Sequence, residues 1–178
     1  MVSDLQLHSI VGNRTLPKLL DHRAESSPDR TFLIFEDMDR KSSTWSYKEF
    51  NEKVNQVANA LLKLNVKKGD KVNIHLNNCP EFLFGWFALS KIGAVMVPTN
   101  PISPPDELIY PINYSESVLT ITQLDLIEDV KTVRSKCRFL KTILVIGDFR
   151  NEDQSTLSFE QITKNEPKSY NSDDITPD

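Results

Sequence analysis

Three histidines and two cysteines are the first candidates for chemistry in this sequence. His75 and Cys79 lie close together in HLNNCPEF and could offer an imidazole and a thiolate to one metal ion. No third or fourth ligand accompanies them, and a closed zinc site takes four. His8 and His22 stand apart upstream. Cys79 precedes Pro80 at the expected start of a helix, where a helix N-terminus can lower a thiol pKa. The competing reading is a half-buried packing cysteine, and it is favoured because cysteine is among the most buried residue types. Phe82, Phe84, Trp86 and Phe87 could line a ligand pocket. Their helical spacing favours a helix face packed on a sheet. Asp148, Asp173 and Asp174 read as solvated acids.

The common phosphate cradles are missing. Gly12, Gly69, Gly85, Gly93 and Gly147 are isolated, so neither G-x-G-x-x-G nor a Walker loop occurs. There is no G-x-S-x-G elbow for a serine hydrolase. The net charge of −4 is uneven: from Asp148 onward eight acids face three bases, which leaves the first 147 residues close to neutral. Without a basic stripe, nucleic-acid binding has little support. Two well-separated cysteines give no disulfide framework, and a reduced, cytoplasmic setting is expected. No apolar run approaches the ~18 residues of a membrane span. MVSDLQLHSIVGNR lacks the basic start and apolar stretch of a secretory signal.

The elements that must hold these residues follow from periodicity and punctuation. TLPKLLDHRAESS predicts a helix capped by Thr15, with Pro17 in its first turn and Pro28 beyond its end. TFLIF and STWS read as two strands around a polar loop. Ser46 and Glu49 form a capping-box pattern ahead of a helix whose apolar face is Phe50, Val54, Val57, Ala58, Leu61 and Leu64; Asn51, Glu52, Lys53, Asn55 and Asn59 fall mostly elsewhere. KVNIHL is a strand and EFLFGWFALSK a helix apolar nearly all round. In LSKIGAVMVPTNP, Gly93 ends that helix in a left-handed turn, AVMVP forms the next strand, and Pro98 stops its ladder. PPDELIYPINYSES is a helix in which Pro111 should impose a kink or early break. SVLTIT is a strand, LDLIEDVKTVRSK a helix with Leu126, Ile127, Val130 and Val133 inward, KTILVIG the last strand, and TLSFEQITKN a small outer helix. Strands alternating with helices specify an α/β fold with a mostly parallel sheet flanked by helices. Ligands then belong beyond the carboxyl ends of the strands, at His75–Asn78, Val97–Pro101, Thr120–Gln123 and Ile146–Phe149.

The run from Ser43 to Pro101 resembles the front of the AMP-forming acyl-CoA synthetases, the adenylate-forming superfamily. Two early motifs carry the resemblance: T-x-S-Y-x-E-F at Thr44–Phe50 and K-x-G-A-x-x-V-P-x-N at Lys91–Asn100. GDKVNIHLNNCPEFLFGWFALSKIGAVMVP looks most like the crotonobetaine/carnitine–CoA ligase branch. The similarity covers roughly 16–147, and its motifs are structural ones.

The resemblance implies that residues 1–147 form an α/β lobe within the large N-terminal domain of such an enzyme. It implies that 148–178 is an acidic surface segment leading toward a Ser/Thr/Gly-rich phosphate loop outside this sequence. A full-length parent would use ATP, Mg²⁺ and coenzyme A to convert a small carboxylic acid, of the carnitine or crotonobetaine kind, into its thioester. This chain alone is expected to be inactive and to hold none of these cofactors, its partner being the remainder of the ligase polypeptide. No catalytic residue and no metal ligand carries over. The loop Thr99, Asn100, Pro101 and Ile102 is the candidate cofactor-binding element; where some relatives place a basic residue against the coenzyme A nucleotide, Ile102 stands here. The alternative is a free-standing flavodoxin-like binding or interaction module without catalysis. An apolar surface left by a missing remainder would favour self-association.

Overall fold

The computed structural model describes residues 15–150 and 153–170. Helix α1 (Leu16–Ser26) starts at Thr15, whose hydroxyl accepts from the Lys18 amide, with Pro17 in the first turn where no helical N–H is missed. Strands β1 (Thr31–Glu36) and β2 (Ser42–Ser46) pair antiparallel. Asp37 closes their loop by accepting the amides of Asp39 and Lys41. Helix α2 (Tyr47–Lys63) opens in a complete capping box: the Glu49 amide donates to Ser46 Oγ and the Ser46 amide to Glu49 Oε2.

Five parallel strands then form one sheet in the order β4-β3-β5-β6-β7. They are β3 (Lys71–His75), β4 (Val95–Pro98), β5 (Leu119–Gln123), β6 (Thr142–Ile146) and β7 (Thr156–Ser158). The connecting helices are α3 (Pro80–Ile92), α4 (Pro105–Tyr114) and α5 (Ile127–Arg134), and α6 (Phe159–Thr163) follows β7. Alternation along the strands sends side chains to two covered faces. Val72, Ile74, Leu119 and Ile121 enter one core with Leu20, Phe50, Leu61 and Phe87. Ile143 and Val145 enter another with Leu108, Ile112, Val130 and Val133 from α4 and α5.

The joint between α3 and β4 is built as expected. Gly93 takes φ +69°, and the Ala94 amide reaches back to the Leu89 carbonyl at 2.9 Å, closing the helix. Pairing only with β3, β4 is an edge strand, which tolerates Pro98 at its end.

Four expectations need correction. Pro111 neither ends nor interrupts α4, which runs on to Tyr114. The acceptor it deprives is the carbonyl of Glu107, an exposed residue that water can serve, while Leu108 and Ile112 hold the helix on the sheet. β6 is not the last strand, because Thr156–Ser158 adds β7 beside it and the outer helix shrinks to Phe159–Thr163. Ser158 then caps that helix, its hydroxyl accepting from the Gln161 amide. Helix α5 begins only at Ile127, leaving Leu126 half-buried at its cap. Finally, Asn55 on α2 is buried along with Gln56.

Those two amides, with Asn59, hold a segment that has no secondary structure of its own. Asn55 Nδ2 donates to the Lys168 carbonyl, Gln56 Nε2 to those of Lys164 and Glu166, and Asn59 Nδ2 to those of Pro167 and Ser169. Ion pairs Lys63–Glu166 (2.7 Å) and Lys168–Glu52 (2.8 Å) flank the amides. Replacing Asn55 and Asn59 together with alanine is expected to raise the rate of tryptic cleavage after Lys164 and Lys168 about tenfold, the equivalent of about 1.4 kcal/mol of local opening. Timed digestion with mass analysis reads this directly.

Candidate functional site

The carboxyl ends of the parallel strands form one edge, and the residues there are tied together through backbone and side-chain hydrogen bonds. The Asn77 amide, just past β3, donates to Gln123 Oε1 at the end of β5 (2.7 Å), and Gln123 Nε2 donates to Asp125 (2.6 Å). The Leu124 amide reaches the Ile146 carbonyl at the end of β6. Gly147 follows with φ +113°, a conformation that suits glycine, and its amide donates to Glu160 Oε1 (3.0 Å).

The loop leaving β4 is rooted from beneath. The Thr99 amide donates to the Ile74 carbonyl, Asn73 Nδ2 donates to Thr99 Oγ1 (3.1 Å), and His75 Nδ1 lies 3.0 Å from the same oxygen. Asn73 also donates to the Val97 carbonyl and accepts from Thr120 Oγ1. Asn73, His75 and Thr120 are fully buried. Beyond Thr99 the loop turns on Asn100, whose side chain accepts the Ile102 amide and whose carbonyl accepts that of Ser103. Pro101 is half-buried, Asn100 is exposed, and Ile102 is 85% exposed. The four candidate loop residues thus sit together at one strand end, with uncharged chemistry throughout.

His75 and Cys79 are not built alike. Burial holds the His75 imidazole below its usual pKa, partly opposed by the Asp129 carboxylate. Cys79 occupies the N-cap of α3, yet burial raises its thiol to about 11. Desolvation therefore outweighs the helix terminus, and Glu81 in the first turn adds to the rise. Alkylation of Cys79 by iodoacetamide is expected to be far slower than that of free cysteine at pH 8, with the rate climbing as pH approaches 11. Peptide mapping of the labelled chain against pH measures this; a rate that levels off by pH 9 would refute it. Among the described residues, no group of three His, Cys, Asp or Glu side chains could hold a metal ion.

The aromatic run divides. Phe84 and Phe87 are buried against Phe50, Phe82 is half-buried, and Trp86 is 42% exposed. Phe84 nonetheless reaches a cleft of about 270 Å³ with Trp45, Gln56 and Phe159. Asp148 is exposed, as expected of a solvated acid; Asp173 and Asp174 lie outside the described residues. His75 was a candidate only as a metal ligand and Thr99 only as a loop residue; the cluster they form with buried Asn73 and Thr120 was not foreseen. Its trace was visible: in KVNIHL the polar residues alternate with valine and isoleucine in a strand that helices cover on both faces, so they had to be buried and partnered.

Comparison with known proteins bears on this lobe as a whole. A family described as AMP-binding enzyme matches residues 20–177. The crotonobetaine/carnitine–CoA ligase of Salmonella paratyphi A is 36% identical over 154 residues, covering 86% of this chain. The chain spans 30% of that relative's length. Among solved structures, the coronafacic acid ligase of Pectobacterium brasiliense superposes with TM-score 0.78 at 26% identity, covering 89% of this chain and 31% of the other. The anthranilate CoA ligase AuaEII, in complex with anthranoyl-AMP, superposes with TM-score 0.76 at 23% identity, over 89% of this chain and 29% of the other.

Proposed function

Because the chain belongs to the AMP-binding enzyme family, we propose that it is the N-terminal part of an ATP-dependent, AMP-forming acyl-CoA ligase. The observation that carries the reading is the family match across 20–177, joined to 36% identity with a crotonobetaine/carnitine–CoA ligase over 154 residues. A small carboxylic acid, of the carnitine or crotonobetaine kind, is the substrate this likeness favours. ATP, Mg²⁺ and coenzyme A are the cofactors of the parent, and a cytoplasmic setting supplies them.

Triphosphate binding asks for a glycine-rich turn with a lysine, and the strand ends offer Thr99, Asn100, Asn77, Gln123 and the acid Asp125. Lys91, beside the Gly93 turn, is buried and held by Asp21. The edge does not fit a triphosphate, and no phosphoryl-transfer step is assigned to this chain. The uncharged loop Thr99–Ile102 fits a neutral part of coenzyme A or of the acyl chain, and that is its role in this reading. The chain alone then has no adenylating activity, and its partner is the remaining ligase polypeptide.

The test is a chimera in which residues 20–170 replace the matching segment of the Salmonella ligase. Expected are a folded chimera by circular dichroism, acid-dependent release of pyrophosphate from ATP, and no release by the isolated chain. A folded chimera without adenylation, or tight nucleotide binding by the isolated chain, overturns the reading.

A further inference from the structure

The root of the Thr99 loop carries more order than a loop needs for packing. Asn73 spends both Nδ2 protons, one on the Val97 carbonyl and one on Thr99 Oγ1, while its Oδ1 accepts from Thr120. This fixes the orientation of the amide. Thr99 Oγ1, already an acceptor from Asn73, still has its single proton and a second lone pair, and His75 Nδ1 lies 3.0 Å away. Where Thr99 gives its proton to Nδ1, the imidazole carries its own on Nε2, and burial favours the neutral ring. Nε2 is buried, as is Oγ1 of Thr122, the residue paired with His75 across β3 and β5, and neither atom has a hydrogen-bond partner among the described residues. Leucine would fill such a site without a ring nitrogen of its own left unmatched. What histidine adds is the acceptor that locks Thr99.

We propose that His75, oriented with Asn73, is the positioning residue of the Thr99–Ile102 loop: its Nδ1 accepts the Thr99 hydroxyl proton and so fixes where the loop leaves the sheet. The effect on catalysis rests on the reading that this loop meets coenzyme A or the acyl chain; the effect on the loop does not. A hydroxyl held from both sides cannot rotate, and the turn on Asn100 begins at the next residue.

Nitrogen NMR of the histidine-labelled 178-residue chain tests the first part. The expected spectrum has an unprotonated Nδ1 and a protonated Nε2 at His75, and a changed Nδ1 shift in Thr99→Val. Relaxation at the Asn100 and Ile102 amides should show increased motion in Thr99→Val and in His75→Leu, with little further change in the double variant, because both remove one link. His75→Asn, whose side-chain oxygen takes the place of Nδ1, should restore much of the order. A protonated Nδ1, or loop amides unmoved by Thr99→Val, overturns the proposal even if His75→Leu fails to fold. Motion that spreads equally to β6 marks a general packing role and also overturns it. In the Salmonella chimera, His75→Leu should raise the KM for coenzyme A about fivefold, more than it lowers kcat. A chimera inactive with the native segment counts against the ligase reading, while the spectra still decide the role of His75.

Discussion

Replacing Asp21 with alanine is expected to cost about 3 kcal/mol of folding stability, the low end of what removing one partner of a buried ion pair does. Lys91 is fully buried on α3, and its ammonium is held by the Asp21 carboxylate of α1, which also accepts from Asn51 Nδ2 of α2. The low end applies because Asp21 is partly open to solvent, with 28% of its side chain exposed. Without the carboxylate the ammonium is left in the core, where it must either stay charged or give up its proton. Urea denaturation of the two chains measures the difference. A loss under about 1 kcal/mol would mean that Lys91 reaches water despite its burial. Lys91→Met should behave quite differently, neutral or stabilising, since a buried ion pair often does no better than an apolar residue of similar volume.

The same pair predicts a sign for pH. Burial lowers the Lys91 pKa from its ordinary 10.5, and the hydrogen bond and charge of Asp21 oppose that only in part. The folded chain therefore binds this proton less tightly than the unfolded chain. The penalty is complete below the folded pKa and fades as pH rises toward 10.5. Relative to Lys91→Met, the native chain should gain stability with rising pH across that window. A gap that widens against the native chain would show the pKa to be raised instead.

Phe50→Ala is the second large effect, about 3–5 kcal/mol. The ring is completely buried, with its centroid 4.6 Å from that of Phe32 and 5.2 Å from those of Phe84 and Phe87. These contacts join α2 to β1 and α3, so the cavity would open where three elements meet and none can collapse alone. A loss of 3 kcal/mol corresponds to a Tm lower by about 6–12 °C in a chain of this size. Phe50→Leu should recover more than half of the loss, because it restores most of the volume. Equal melting of Phe50→Ala and the native chain would place this ring outside the cooperative core.

Much of the fold can be read from neighbours a few residues apart. Ser46 and Glu49 announced the start of α2, and Gly93 with Pro98 delimited the α3–β4 joint. Alternating helices and strands implied the parallel sheet, because each such strand needs a crossover. The family resemblance lay in the same local joints. Pro111 misled because a proline's cost depends on whether the deprived carbonyl meets water, which no local spacing reveals. β7 was hidden because three residues carry too little periodicity to separate a strand from the helix that follows.

What the chain by itself determined was where its elements begin and end, that they form a parallel α/β sheet, and which family they resemble. The tertiary structure decided which polar groups enter the interior and whom they meet. Lys91 finds Asp21 across 70 positions, His75 meets Thr99 across 24, and Asn55 takes the Lys168 carbonyl across 113. The physical reason is that helix caps and apolar stripes are made by residues three or four apart, whereas a buried charge or amide is tolerable only when a distant segment brings its complement, and that meeting exists only after the chain has folded.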